Sequence, residues 1–170
     1  MRRHTALIAS LLLALALTGC SSQATREAMT PQGFTVAKHH PQSLLVKTAG
    51  GSDDSIADAD LKSAIEDAVT QSRVFKSIIQ GNAGDYELNV RITSLQKPIF
   101  GATFTVEMET AWSLIKTADR SVVMRKSVKS SGTATMGDAF AAIARVRMAV
   151  ERAAQANIKD GLKAVAELTL

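Results

Sequence analysis

The 170-residue chain holds a single cysteine, Cys20, so no disulfide can form within it and stability has to come from packing. Aromatic residues make up only 4% of it, which leaves Ala, Val, Leu and Ile as the main material of a core. No dense run of Lys or Arg is present, and the formal charge of +4 therefore does not indicate a nucleic-acid binder. The longest apolar stretch, residues 6–17 broken only by Ser10, is short of the about 20 residues that a transmembrane helix needs. Gly-x-Ser-x-Gly is absent, and Gly132 to Gly137 spaces two glycines like a phosphate loop but lacks the following Lys-Ser/Thr. Without a polar catalytic constellation, the chain is not expected to be an enzyme.

What is present begins at the N-terminus. Arg2, Arg3 and His4 form a basic start, the apolar stretch follows, and Leu17-Thr18-Gly19-Cys20 closes it. This is the three-part form of a secretory signal. The tetrapeptide resembles the lipobox of bacterial lipoproteins. That resemblance implies cleavage before Cys20 and a diacylglyceryl group on its thiol, with acylation of the new amine. Two or more chains anchor a protein stably, at roughly 0.8 kcal/mol per buried methylene. Ser21, rather than Asp, follows the cysteine, which resembles an outer-membrane address. The expected location is the periplasmic face of the outer membrane, with covalent lipid on Cys20 and no cofactor.

Removal of residues 1–19 leaves 151 residues with 18 Lys and Arg against 16 Asp and Glu, enough for one domain with its own core. Residues 20–33 are mostly small and polar, and read as a lipidated tether. Residues 34–170 then form a single α+β domain. Short strands are expected over 34–38 and 43–48, with His39-His40-Pro41-Gln42 between them. A helix follows over 56–79, begun by a Ser55/Asp58 capping box, with Leu61, Ile65, Ala68, Ser72, Phe75 and Ile79 on one face. Strict alternation predicts strands over 86–92 and 104–114, and a third runs over 121–128. A long helix over 138–166 carries Ile143, Val146, Val150, Ala153, Ala154, Ile158, Leu162 and Val165 on its apolar face. Gly161 lies on that face, where it permits close packing, and Asn157 there reads as a satisfied core amide. The expected architecture is strand-helix-strand-strand-strand-helix: a mostly antiparallel sheet of about four strands with two helices on one face.

Ser72-Arg73-Val74-Phe75 and Asp85-Tyr86-Glu87-Leu88-Asn89-Val90, in this element order behind a lipobox, resemble periplasmic lipoproteins of one general shape. That shape is similar to the amino-terminal domain of the Tol-Pal translocation protein. ABC-transport auxiliary lipoproteins and the lipoprotein activators of peptidoglycan synthases share it. The likeness implies a non-enzymatic accessory subunit in envelope assembly, maintenance or transport, bound to a periplasmic or outer-membrane protein. Self-association stays open. A lipid- or small-ligand-binding accessory, with a pocket between sheet and helices, is the alternative.

Beyond Cys20, few residues invite a role. His39 and His40, adjacent on a strand, would point to opposite faces, which suits a solvated strand end better than a metal. Glu107 and Glu109 share a strand face and read as solvated. Arg147 falls in the apolar stripe one turn before Glu151, so it either pairs with Glu151 or meets a partner. Ile99 and Phe100, an apolar pair after Pro98, either fold over the core edge or form a docking patch.

Overall fold

The computed structural model describes residues 23–50, 53–81 and 84–170. In chain order it contains α1 (Arg26–Met29), β1 (His40–Ala49), α2 (Asp58–Ser72), β2 (Phe75–Ile78), β3 (Tyr86–Gln96), β4 (Phe104–Lys116), β5 (Val122–Ala134) and α3 (Ala142–Ala166). The five strands form one mixed sheet in the order β2-β1-β3-β4-β5. β1 runs parallel to both β2 and β3, while β3, β4 and β5 form an antiparallel meander. The α+β class and the two long helices on one face match expectation. The sheet has five strands rather than about four, and its first half is parallel.

The fifth strand comes from the end of the expected 56–79 helix. α2 stops at Ser72 because Arg73 turns left-handed, at φ 55°. Val74 and Phe75 then bury themselves in extended backbone as the chain returns along β1. The Ser55/Asp58 capping box does not form. Ala57 is the N-cap without a side-chain bond, and Ser55 Oγ instead accepts from Lys97 Nζ at 2.7 Å. Asp58 and Asp60 still place negative charge on the first turn, where the helix dipole favours it. The expected 34–38 strand is absent, and β1 instead starts at His40 and runs to Ala49.

Alternation along β4 puts Phe104, Val106, Met108, Thr110, Trp112 and Leu114 on the helix-covered face. Leu44 and Val46 of β1 and Tyr86, Leu88, Val90 and Ile92 of β3 join them, and Leu61, Ile65 and Ala68 of α2 and Val150, Ala154, Ile158, Leu162 and Val165 of α3 close the core. Two glycines set the distance of α3 from the sheet. A Cβ on Gly161 would lie 2.3 Å from the Trp112 ring, and one on Gly132 would lie 2.2 Å from the Ala149 carbonyl oxygen. β5 extends through Ala134, six residues past its expected end, and Gly132 is the point where strand and helix backbones touch. α3 begins at Ala142, not at Asp138, whose carboxylate is held by Thr135 and Arg152.

The segment read as a tether is packed from Ala24 onward. Ala24, Met29, Thr30 and Pro31 are buried, and Thr25 caps the short α1 by accepting from Ala28 N–H. Arg26 makes a bidentate pair with Asp67 of α2, at 2.6 Å for both bonds, and Gln155 of α3 donates to the Thr30 carbonyl. Met29, the one large apolar side chain in that stretch, is fully buried against the two helices. No helix among the described residues is long and apolar enough to cross a membrane. Cys20 and the signal segment lie outside the described residues.

Candidate functional site

The β3–β4 and β5–α3 loops meet at one end of the sheet, and Arg145 joins them. Its guanidinium donates to the carbonyls of Ala139 and Phe140, at 3.0 and 2.5 Å, and to that of Gly101, at 3.5 Å. It lies 5.1 Å from the Phe104 ring centroid and is itself buried. A cation over an aromatic face inside a protein is held more firmly than one in water. Both loops are therefore fastened to one buried charge, yet their tips are bare. Ile99 is 95% exposed, Phe100 86%, Phe140 88% and Ile143 60%. The sequence leaves open whether Ile99 and Phe100 fold over the core; the structure places them outside it. Ile143, expected on the buried face of the last helix, also faces solvent because α3 starts only one residue before it.

The chain enters the domain at this same end. Ala24 N–H donates to the Ser55 carbonyl at 2.8 Å, and Gln23 Nε2 to the Asp54 carbonyl at 3.0 Å. Lys97, two residues before Ile99, reaches Ser55 Oγ at 2.7 Å and Asp53 Oδ2 at 2.7 Å. Burial works to raise the Asp53 pKa, but the hydrogen bonds from Lys97 and Ser55 outweigh it and hold the carboxyl below its ordinary range. Thr25 N–H donates to Glu151 Oε1 at 3.1 Å, and Arg147 Nε lies 3.7 Å from the same oxygen. Arg147 thus makes the expected pair with Glu151, and through it bears on the N-terminal segment.

The uncovered face of the sheet is polar. Glu87 accepts from Lys47 at 2.8 Å and from Asn89 at 2.9 Å, with Arg120 at 3.6 Å, and these partners hold its carboxyl below the ordinary range, Lys47 foremost. Glu109 accepts from Ser127 and faces Lys129 at 3.8 Å. Glu109 and Lys129, with Ser94, Gln96, Glu107 and Ser131, line a shallow cleft. Between β4 and α3 the space is filled by the fully buried Trp112, while a cavity that would suit the alternative, ligand-binding reading opens at the sheet edge, where Val69, Thr70 and Arg73 face Phe75 and Ile78 of β2. Asn157 Oδ1 accepts from Thr110 Oγ1 and Trp112 Nε1, and its Nδ2 donates to the Val128 carbonyl and Ser130 Oγ. That is the satisfied core amide the sequence implies. His39 Nδ1 lies 2.9 Å from the Arg73 carbonyl and His40 Nε2 3.1 Å from that of Val165, so the pair is divided between two backbone partners.

Arg145 and Phe140 were not singled out by sequence. Arg145 lies two residues before Arg147 on the same helix, and Phe140 sits in a stretch read as helix; an aromatic next to small residues ahead of that helix was the only available signal.

No family model matches the chain, and no curated protein does. Solved structures do. A Xanthomonas campestris protein of the DUF330 family superposes with a TM-score of 0.60 at 14% identity, over 79% of this chain and 87% of that one. A candidate lipoprotein from Caulobacter crescentus gives 0.52 at 20% identity, over 71% and 87%. PelC of Paraburkholderia phytofirmans, a dodecamer, gives 0.54 at 14% identity, over 81% and 94%. At these identities the likeness is one of fold. The finer likeness to the Tol-Pal translocation protein and to ABC-transport auxiliary lipoproteins is not shown by these neighbours.

Proposed function

We propose that this chain is a lipid-anchored accessory lipoprotein of a Gram-negative envelope, held by acylated Cys20 at the periplasmic face of the outer membrane, and that it acts by binding a protein partner rather than by catalysis. The observation that carries the reading is the fixed entry of the chain. Residues from Ala24 onward are fastened to Ser55 and Glu151, so an anchor at Cys20 would confine the whole domain at the bilayer. Confinement raises the effective concentration of a domain near partners in the same membrane. The fold shared with a candidate lipoprotein supports the anchor, and a dodecameric relative of the same fold keeps self-association among the options. For the partner, the open sheet face offers a rigid surface of mixed charge, with Glu107, Arg125, Lys129 and Ser131 exposed on it.

Radiolabelled palmitate tests the anchor. The wild type is expected to incorporate label and sediment with membranes, and Cys20→Ser to do neither. An unlabelled wild type would remove the proposal. For the partner, a photoreactive residue at Ser131 is expected to trap one envelope protein or a second copy in intact cells, whereas the same residue at Thr117 in the far turn is not.

A further inference from the structure

We propose that the Arg145-fastened end of the domain is a lipid-contacting surface, with Ile99, Phe100, Phe140 and Ile143 seated in the interface of the same leaflet that holds the anchor. This rests on the reading of Cys20 as lipidated. Three observations lead to it. Cys20 stands three residues before Gln23, and three residues of chain reach at most about 11 Å. Gln23 and Ala24 are bonded to Asp54 and Ser55, and Ser55 and Asp53 hold Lys97 at the base of the Ile99–Phe100 loop. The anchor point and the bare apolar tips therefore share one end of the molecule.

The chemistry of the tips fits the occupant. Residues 98–104 and 139–144 contain no charged side chain. Three of the nearby charges are turned inward or paired, Lys97 with Asp53, Arg145 with three backbone carbonyls and Asp138 with Arg152, while Asp54 stays exposed beside the chain entry at headgroup level. An uncharged, apolar tip gains by entering the boundary between headgroups and acyl chains, whereas in water such large side chains keep their hydration cost. Phe100 precedes Gly101, whose φ of 139° gives the tight reversal that keeps the pair at the tip. With this end down, the strands lead away from the bilayer. The β4–β5 turn at residues 117–121 then stands about 40 Å away, the length of a 13-residue strand.

The test uses the mature full-length protein reconstituted in phosphatidylethanolamine–phosphatidylglycerol vesicles. With Cys20 acylated, a newly introduced cysteine is the only thiol free to take a polarity-sensitive dye. Phe100→Cys, Phe140→Cys and Ala118→Cys are compared, all at positions exposed in the structure. The dye at 100 and at 140 is expected to shift to the blue and to lose most of its emission in vesicles with brominated acyl chains, while the dye at 118 responds only to iodide in the water. If the dyes at 100 and 140 stay open to iodide and indifferent to bromine, the proposal is overturned. If both quenchers fail at 100 and 140, a protein covers this end, and the proposal is overturned in favour of a docking site. Wild-type protein that itself takes up dye at Cys20 would show that the anchor reading has failed, a result separate from the quenching pattern.

Discussion

One face of the sheet is closed by α2 and α3 and the other is bare, and the two are held by opposite means. On the closed face, position is set by backbone contact and shape: Gly132 against Ala149, Gly161 against Trp112, and one amide, Asn157, satisfying four groups. On the bare face, position is set by hydrogen-bonded charge, with Glu87 and Glu109 as centres. The closed face should therefore tolerate almost no change and the bare face a great deal, which leaves the bare face free to carry recognition.

The sharpest way to break this contrast is Gly132→Val. Its side chain would have to occupy the space of the Ala149 carbonyl and the Ala153 amide, both backbone, and α3 would be pushed off β5. Loss of more than about 3 kcal/mol, or of cooperative unfolding altogether, is expected in urea denaturation. Next in size is Asn157→Leu. It strands the Trp112 indole N–H on Thr110 alone and leaves the Val128 carbonyl short of a donor. The expected cost is about 2–3 kcal/mol, again by urea denaturation. A value near zero would mean that the amide network adds no net stability.

The same contrast governs what could be read from residues alone. The meander was legible because alternation over 86–92 and 104–114 reports a sheet with one wet face, and Gly161 and Asn157 were legible as interruptions of an apolar stripe. The parallel half was not. β2 has only four residues, and its Phe75 continues the helical period of α2. The break is a left-handed Arg73, a residue type that gives no warning of that conformation. The packing of residues 24–31 was hidden because one Met in a polar stretch reports no periodicity. At the end fastened by Arg145, apolar residues look the same in sequence whether they are tucked in or exposed; only the Arg145 bonds and the chain entry at Ser55 separate the two.

A third prediction concerns the seam where the N-terminal segment meets the closed face. Glu151 is buried and holds both Thr25 N–H and Arg147. Glu151→Ala removes an acceptor that a charged group supplies, which is worth about 1.5–3 kcal/mol when fully buried. Here the freed Thr25 amide can turn to water, so the lower end of that range is expected. Amide hydrogen exchange should speed up at Ala24, Thr25 and Met29 and hold steady in β4. Uniform acceleration would show the segment to be integral to the whole fold.

Acid sharpens the comparison from the other side. Asp53 and Glu87 have pKa values lowered in the fold, Asp53 against its own burial by Lys97 and Ser55, and Glu87 by Lys47 and Asn89. A carboxylate with a lowered folded pKa contributes stability that is present above its unfolded value and lost as pH falls through the folded one. The melting temperature is expected to be level above pH about 5 and to decline below pH about 4. Glu87→Gln should flatten part of that decline, whereas Asn157→Leu, which titrates nothing, should lower the whole curve without changing its shape.

The smallest effect belongs to Glu109→Ala combined with Lys129→Ala on the bare face. The pair sits 3.8 Å apart, with the Lys129 side chain 78% exposed. Exposed ion pairs contribute about 0–1 kcal/mol, since solvent already stabilises both charges and ordering two long side chains costs entropy. Glu109 also accepts from Ser127, but that hydroxyl is exposed and finds water when the carboxylate is gone. Stability should therefore change by less than about 0.5 kcal/mol. If the bare face binds the partner, capture from a photoreactive residue at Ser131 should fall sharply in the same double variant, because Ser131 pairs with Glu107 on β4 directly beside the Glu109–Lys129 pair. Unchanged capture with unchanged stability would move the partner to another surface, and lost stability would mean that the bare face, too, is held by the packing beneath it.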